Sequence, residues 1–202
     1  MQWTDKDVEF LKQFRHTVDY DGIKVKERVK EILLDNRFII HVLNNKELEE
    51  SEAEPADYFG INILPYYMIQ PTQTDVQNFI CYTVGFHKEY NYNHSASKTM
   101  YNKIMVLTFV VMCEQKNILD LETSLSRTDL LAALIQDQFN NTNYFGATIR
   151  LMQDEESVVD NKYAARTLVF HQLTDNNLVR TRDGVSRLAN KDLYAEVPQP
   201  ED

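Results

Sequence analysis

The chain has 202 residues, 43% of them apolar and 26% charged, and its 31 acidic against 21 basic side chains give a formal charge of −10. That length allows one globular domain to bury a core without disulfide or metal staples. The acidic balance disfavours a general binder of phosphate backbones or anionic lipid, and only five Gly and five Pro exclude a collagen-like or low-complexity chain.

Thr4 and Asp7 stand at capping-box spacing, with Asp in place of the usual Glu. Val8, Leu11, Phe14 and Val18 recur behind them at helical intervals. Asp19-Tyr20-Asp21-Gly22 is a turn signal. A second helix is expected over 23–34, striped by Val25, Val29, Ile32 and Leu33, and a third over 38–43, where a strand is the alternative. Residues 44–60 change character: five glutamates and little to bury predict a solvated loop. Residues 61–64 read as extended, with Pro65 at an edge or a strand end.

The centre reads as sheet. Residues 78–86 and 103–113 are almost continuously apolar, the pattern of strands covered on both faces. An antiparallel pair with an enlarged hairpin over 87–102 is the simplest arrangement. Ser126 and Asp129 approximate a second capping box, ahead of Leu130, Leu131, Leu134, Ile135 and Phe139 at helical spacing. Strands are expected over 147–152 and 163–170, separated by a polar turn over 153–162. From residue 174 the apolar content thins, and 197–202 are expected to be disordered in isolation.

These elements predict an α+β fold: a mainly antiparallel four-stranded sheet in the order β-β-α-β-β, preceded by two or three helices, with a long hairpin and an extended C-terminal tail. One domain is expected over 1–173, made of N-terminal helices (4–43), the acidic loop (44–60) and a sheet–helix core (61–173), with 174–202 as a C-terminal extension.

The residues that carry chemistry form no recognisable constellation. Among His16, His41, His87, His94 and His171 no two are four apart, and Cys81 and Cys113 lie in no Cys-x-x-Cys pair. Their apolar settings suit buried, unactivated thiols in a reducing compartment. The start of the chain lacks a signal-peptide pattern, and no apolar run reaches the roughly 18 residues of a membrane span. There is no Gly-x-Ser-x-Gly elbow, and the glycines are too scattered to cradle phosphate. Acidic runs such as Asp154-Glu155-Glu156 read as solvated. No enzyme activity, cofactor or metal is therefore expected.

Two features suggest contacts instead. Arg166 interrupts an apolar strand, and Arg127 opens the central helix; each needs a carboxylate or carbonyl partner, within the chain or across a subunit interface. Tyr90, Tyr92 and Tyr101 lie among Asn, Ser and Lys in the long hairpin, a composition favouring protein contact over base stacking. Tyr90, Tyr92, Tyr101, Arg127 and Arg166 are thus the candidate subunit-interface residues.

The chain resembles the tail-terminator and neck (head–tail connector) ring proteins of tailed bacteriophages. The resemblance rests on the helical start Ile23-Lys24-Val25-Lys26-Glu27-Arg28-Val29-Lys30-Glu31-Ile32-Leu33, the segment Phe38-Ile39-Ile40-His41-Val42-Leu43, the strand pair with its long hairpin, the helix Asp129-Leu130-Leu131-Ala132-Ala133-Leu134-Ile135 and the closing Tyr163-Ala164-Ala165-Arg166-Thr167-Leu168-Val169-Phe170. It covers residues 23–173; the acidic segment and the tail fall outside it. It implies a virion protein, assembled in the host cytoplasm into a ring of identical subunits, usually a hexamer and sometimes a dodecamer. Such a ring sits between portal or connector proteins and tail-tube proteins, and DNA passes through it without specific binding. An acidic lumen suits that passage, because phosphate is repelled rather than gripped. The alternatives are an intracellular adaptor or inhibitor that binds one protein through the acidic loop or the Tyr-rich hairpin, and a hydrolase with a site around Cys81 or His87.

Overall fold

The computed structural model describes residues 4–12, 21–67, 77–90, 101–158, 162–175, 178–180 and 186–188. Helix α1, Asp5–Lys12, starts where the capping box requires: Thr4 N donates to Asp7 Oδ2 (2.8 Å) and Asp7 N to Thr4 Oγ1 (3.4 Å). It buries none of its residues. The expected continuation to Val18 lies outside the described residues.

Helix α2, Asp21–Asp35, buries Val25, Val29, Ile32 and Leu33, as its stripe predicts. Helix α3, Arg37–Leu43, settles the helix-or-strand alternative. The Asn36 side chain accepts from Phe38 N and Ile39 N at its start, and Asn44 ends it in the left-handed region at φ 49°.

The acidic segment is a correction: it is folded, not an open loop. Asn45 caps a short helix, α4, Lys46–Glu50, and a 3₁₀ turn over Pro55–Tyr58 buries the Tyr58 ring. Glutamates 47, 49, 50, 52 and 54 all stay exposed, while Asn45 and Tyr58 point inward. A few anchoring side chains outweigh a polar average when the charges face water.

The sheet has five strands in the order β1-β2-β3-β5-β4: β1 Ile63–Leu64, β2 Phe79–Tyr90, β3 Tyr101–Glu114, β4 Ile149–Val158 and β5 Tyr163–Asp175. The four long strands are antiparallel, and β1 adds a parallel pairing with β2. The α+β class and the β-β-α-β-β order hold, with β1 making the sheet mixed. A separate ladder pairs β6, Leu178–Arg180, with β7, Ser186–Leu188, within the expected tail. Strand β4 continues through residues expected to turn. It is an edge strand with residues 152–158 exposed, so Asp154, Glu155 and Glu156 need not be buried there. A bulge between Leu151 and Gln153 shifts its register.

Helix α5, Arg127–Phe139, crosses the sheet face that α2 and α3 also cover. On β3 the inward residues Met105, Leu107, Phe109 and Val111 are buried, whereas Ile104, Val106, Thr108 and Val110 on the other face are half-buried. Continuous apolarity thus marks one closed face and one partly open one. At the centre of the closed face the Phe109 ring lies 4.9 Å from Phe139 and 5.8 Å, edge-on, from Phe170. A smaller cluster of Leu64, Phe79, Cys81, Met112 and Ala165 holds part of the other face.

Candidate interaction surface

Three buried asparagines fasten the helices to the sheet. Asn45 Nδ2 donates to Asn62 Oδ1 (2.7 Å), Asn62 Nδ2 to Asn78 O (2.9 Å) and Asn78 Nδ2 to Leu43 O (2.9 Å). Asn78 Oδ1 accepts from Glu114 N (3.1 Å). The network joins the end of α3, the cap of α4, and strands β1, β2 and β3.

Arg127 and Arg166 both find their partners inside the chain. Arg127 is buried; its Nη2 lies 3.0 Å from Asp120 Oδ1 and its Nη1 donates to Val42 O at 3.1 Å. Its Nε has no hydrogen-bond partner. The guanidinium is an internal tie between α3 and the start of α5. Arg166 clasps Asp154 through Nε–Oδ1 (2.7 Å) and Nη2–Oδ2 (3.0 Å), and its Nη1 reaches Asp129. Gln136 Nε2 also donates to Asp154 Oδ2 (2.8 Å). The Arg166 hydrogen bond is the main reason that the Asp154 carboxyl is held below its ordinary range.

The same contacts undo the second capping box. Asp129 turns to Arg166, and the Ser126 hydroxyl pairs with Thr128 (2.6 Å) rather than capping α5. Tyr90 and Tyr101 occupy facing register positions at the far end of the β2–β3 hairpin. Tyr92 lies outside the described residues.

A feature not anticipated from the sequence is the loop before α5. Asp120 folds inward and accepts from Thr123 N (3.0 Å) and Thr123 Oγ1 (2.8 Å); these bonds, Thr123's side chain foremost, hold its carboxyl below the ordinary range. Asp120 N donates to Leu125 O (2.9 Å), Ser124 N to Asp120 O (2.8 Å) and Arg127 N to Ile118 O (2.7 Å). The loop is pinned from within, and it presents Leu119, Leu121 and Leu125 outward at 59%, 92% and 54% exposure. The pinned backbone thus holds three large aliphatic side chains toward solvent. The only hint in the sequence is leucines alternating with polar residues over 119–125.

At the other end of α5 an open groove of about 1050 Å³ runs between the end of α2, the start of α3 and the last turns of α5. Ile32, Leu34, Phe38, Leu134 and Tyr144 supply its apolar lining. The Arg28 guanidinium stands 5.6 Å over the Tyr144 ring and that of Arg37 4.8 Å over the Phe38 ring.

Among the described residues, no group of three His, Cys, Asp or Glu is placed to hold a metal. Burial pushes the Cys113 thiol up to about 12, and Cys81 is also buried. His41 lies 3.7 Å from Glu122 on the surface, and His87 is exposed. His16 and His94 lie outside the described residues. No described helix is long and apolar enough to cross a membrane.

A family model described as YomW matches residues 36–172, from the cap of α3 to β5. No curated protein matches the chain.

Proposed function

The chain belongs to the YomW family, a phage-derived family, and on that premise we propose that it is a structural virion protein, a tail-terminator or neck subunit that forms a ring at the head–tail junction. The observation that carries the reading is that the family match spans more than half of the chain and takes in the sheet, α3 and α5. Three features support it. The surface offers an exposed leucine loop and an open groove, both suited to contact with a neighbour. The Asn45–Asn62–Asn78 network and the Arg166–Asp129 pair fix the helix layer on the sheet, which gives the surface a set shape for a neighbour to meet. The formal charge of −10 suits a channel through which DNA slides without sticking.

In this reading the flat sides of the ring meet portal or connector proteins on one side and tail-tube proteins on the other. The test is to locate the protein in particles. Antibody or a fused tag should mark the junction of head and tail in purified virions, with a copy number that is a multiple of one ring. Absence of the protein from washed virions overturns the reading.

A further inference from the structure

We infer that the β6–β7 hairpin of one copy adds to the outer edge of β4 in the next, so that a single sheet runs across the contact between subunits; the inference rests on the ring reading above. Both elements have an open side. No described strand pairs with the outer side of β4, and its ten residues present a row of backbone N–H and C=O groups to a partner strand. At the other edge of the sheet, β1 is only two residues long, both buried, and offers little ladder. The β6–β7 ladder has three register pairs and joins neither edge of the main sheet. Two strands alone are marginal in water and gain from a third.

Charge selects which strands meet. Glu155 and Glu156 hold adjacent positions on β4, and both are exposed. Arg166, opposite Glu156 in the ladder, is held by Asp154 and Asp129. Arg150 stands five residues from Glu155 along the strand, about 17 Å away. Residues 176–191 carry Arg180, Arg182, Arg187 and Lys191 against Asp183 alone, a basic stretch in a chain of charge −10. Arg180 and Arg187 hold adjacent positions in the hairpin ladder, opposite Ser186 and Val179. A second β4 would set acid against acid, whereas an arginine-bearing strand neutralises the edge.

The hairpin must come from another copy. Glu155 pairs with Thr167 and Glu156 with Arg166, eight and nine residues back along β5 from its end at Asp175. That is about 27–31 Å along the strand, and the position outside β4 lies two strand spacings, about 10 Å, to the side. Arg180 is five residues beyond Asp175, at most about 17 Å of extended chain, and the ladder keeps Arg187 beside Val179. The hairpin therefore falls short of its own chain's acids. An edge on one copy and a hairpin on the next make a heterologous contact, and its repetition closes into a ring when the rotation allows.

The experiment uses the full chain and sedimentation velocity, with thermal melting to confirm that each variant folds. Arg180→Glu with Arg187→Glu should weaken self-association by about a hundredfold, and Glu155→Arg with Glu156→Arg should do the same from the edge side. Mixing the two variants sets opposite charges at every contact, so the mixture should assemble although neither variant does alone. Amide exchange over 152–158 should slow in the native assembly relative to either variant. Variants that assemble as the native chain does, or a mixture that stays monomeric, overturn this contact while leaving a ring built another way. Amides of β4 that stay unprotected in the assembly also overturn it and leave the edge to a different protein, and protection in a dilute monomer would mean that the hairpin folds onto its own chain. A native chain that is itself monomeric overturns both this contact and the ring reading.

Discussion

Arg166 and Asp154 face each other fork to fork, with Nε–Oδ1 at 2.7 Å and Nη2–Oδ2 at 3.0 Å, and tie the edge strand β4 to its neighbour β5. Both side chains are about one-quarter exposed, so water screens the pair only in part. Arg166→Met should lower stability by about 1–2 kcal/mol and loosen β4 first. Urea titration should show the lower midpoint, and amide exchange should rise along β4 before β3.

The same pair sets an acid limb. The folded-state pKa of Asp154 lies below its unfolded value, so the unfolded chain binds more protons and stability rises with pH. The contribution of Asp154 is complete above the ordinary carboxylate range, near pH 4, and is lost as pH falls through the lowered folded value. Arg166→Gln should flatten this limb of the stability profile while leaving the region above pH 5 parallel to the native one. An acid limb equally steep in the variant would place the titration elsewhere.

Asn62 is fully buried and serves two partners at once. Asn62→Ala leaves Asn45 Nδ2 and Asn78 O buried without their bonds, at a cost of about 2–3 kcal/mol. Asn45→Ala removes one bond and the cap of α4 and should cost less, about 1–2 kcal/mol. Chemical denaturation of both variants checks the order; equal losses would show that the network does not act through Asn62.

The cysteines give a test of the catalytic alternative. Cys113 is fully buried with its pKa pushed up to about 12, and Cys81 is 1% exposed. A thiol reagent should modify neither in the native protein at pH 8 and both once urea unfolds it. Rapid native labelling of Cys81 would revive a nucleophile at that strand.

Much of the architecture is legible in the residue pattern because burial writes it there. Continuous apolar runs announce β2 and β3, and the spacing from Leu130 to Phe139 announces α5. Arg166 within an apolar strand signals a charged partner, yet Asp129 reads first as a cap; the choice between cap and ion pair is made by β5 passing close to α5, a tertiary fact. Strand β4 beyond Met152 hides for the opposite reason, since an edge strand may carry acids that a central one cannot. The acidic segment misleads because its glutamates dominate the average while Asn45 and Tyr58 do the anchoring. The leucine loop is the least legible, because its exposure depends on Asp120 turning inward toward Thr123 and Arg127.

The central claim is that copies of this subunit complete one another's surfaces. Native mass spectrometry of the purified chain tests it most directly. The account predicts a single closed species with six subunits, or twelve. A strict monomer across the micromolar range would contradict it.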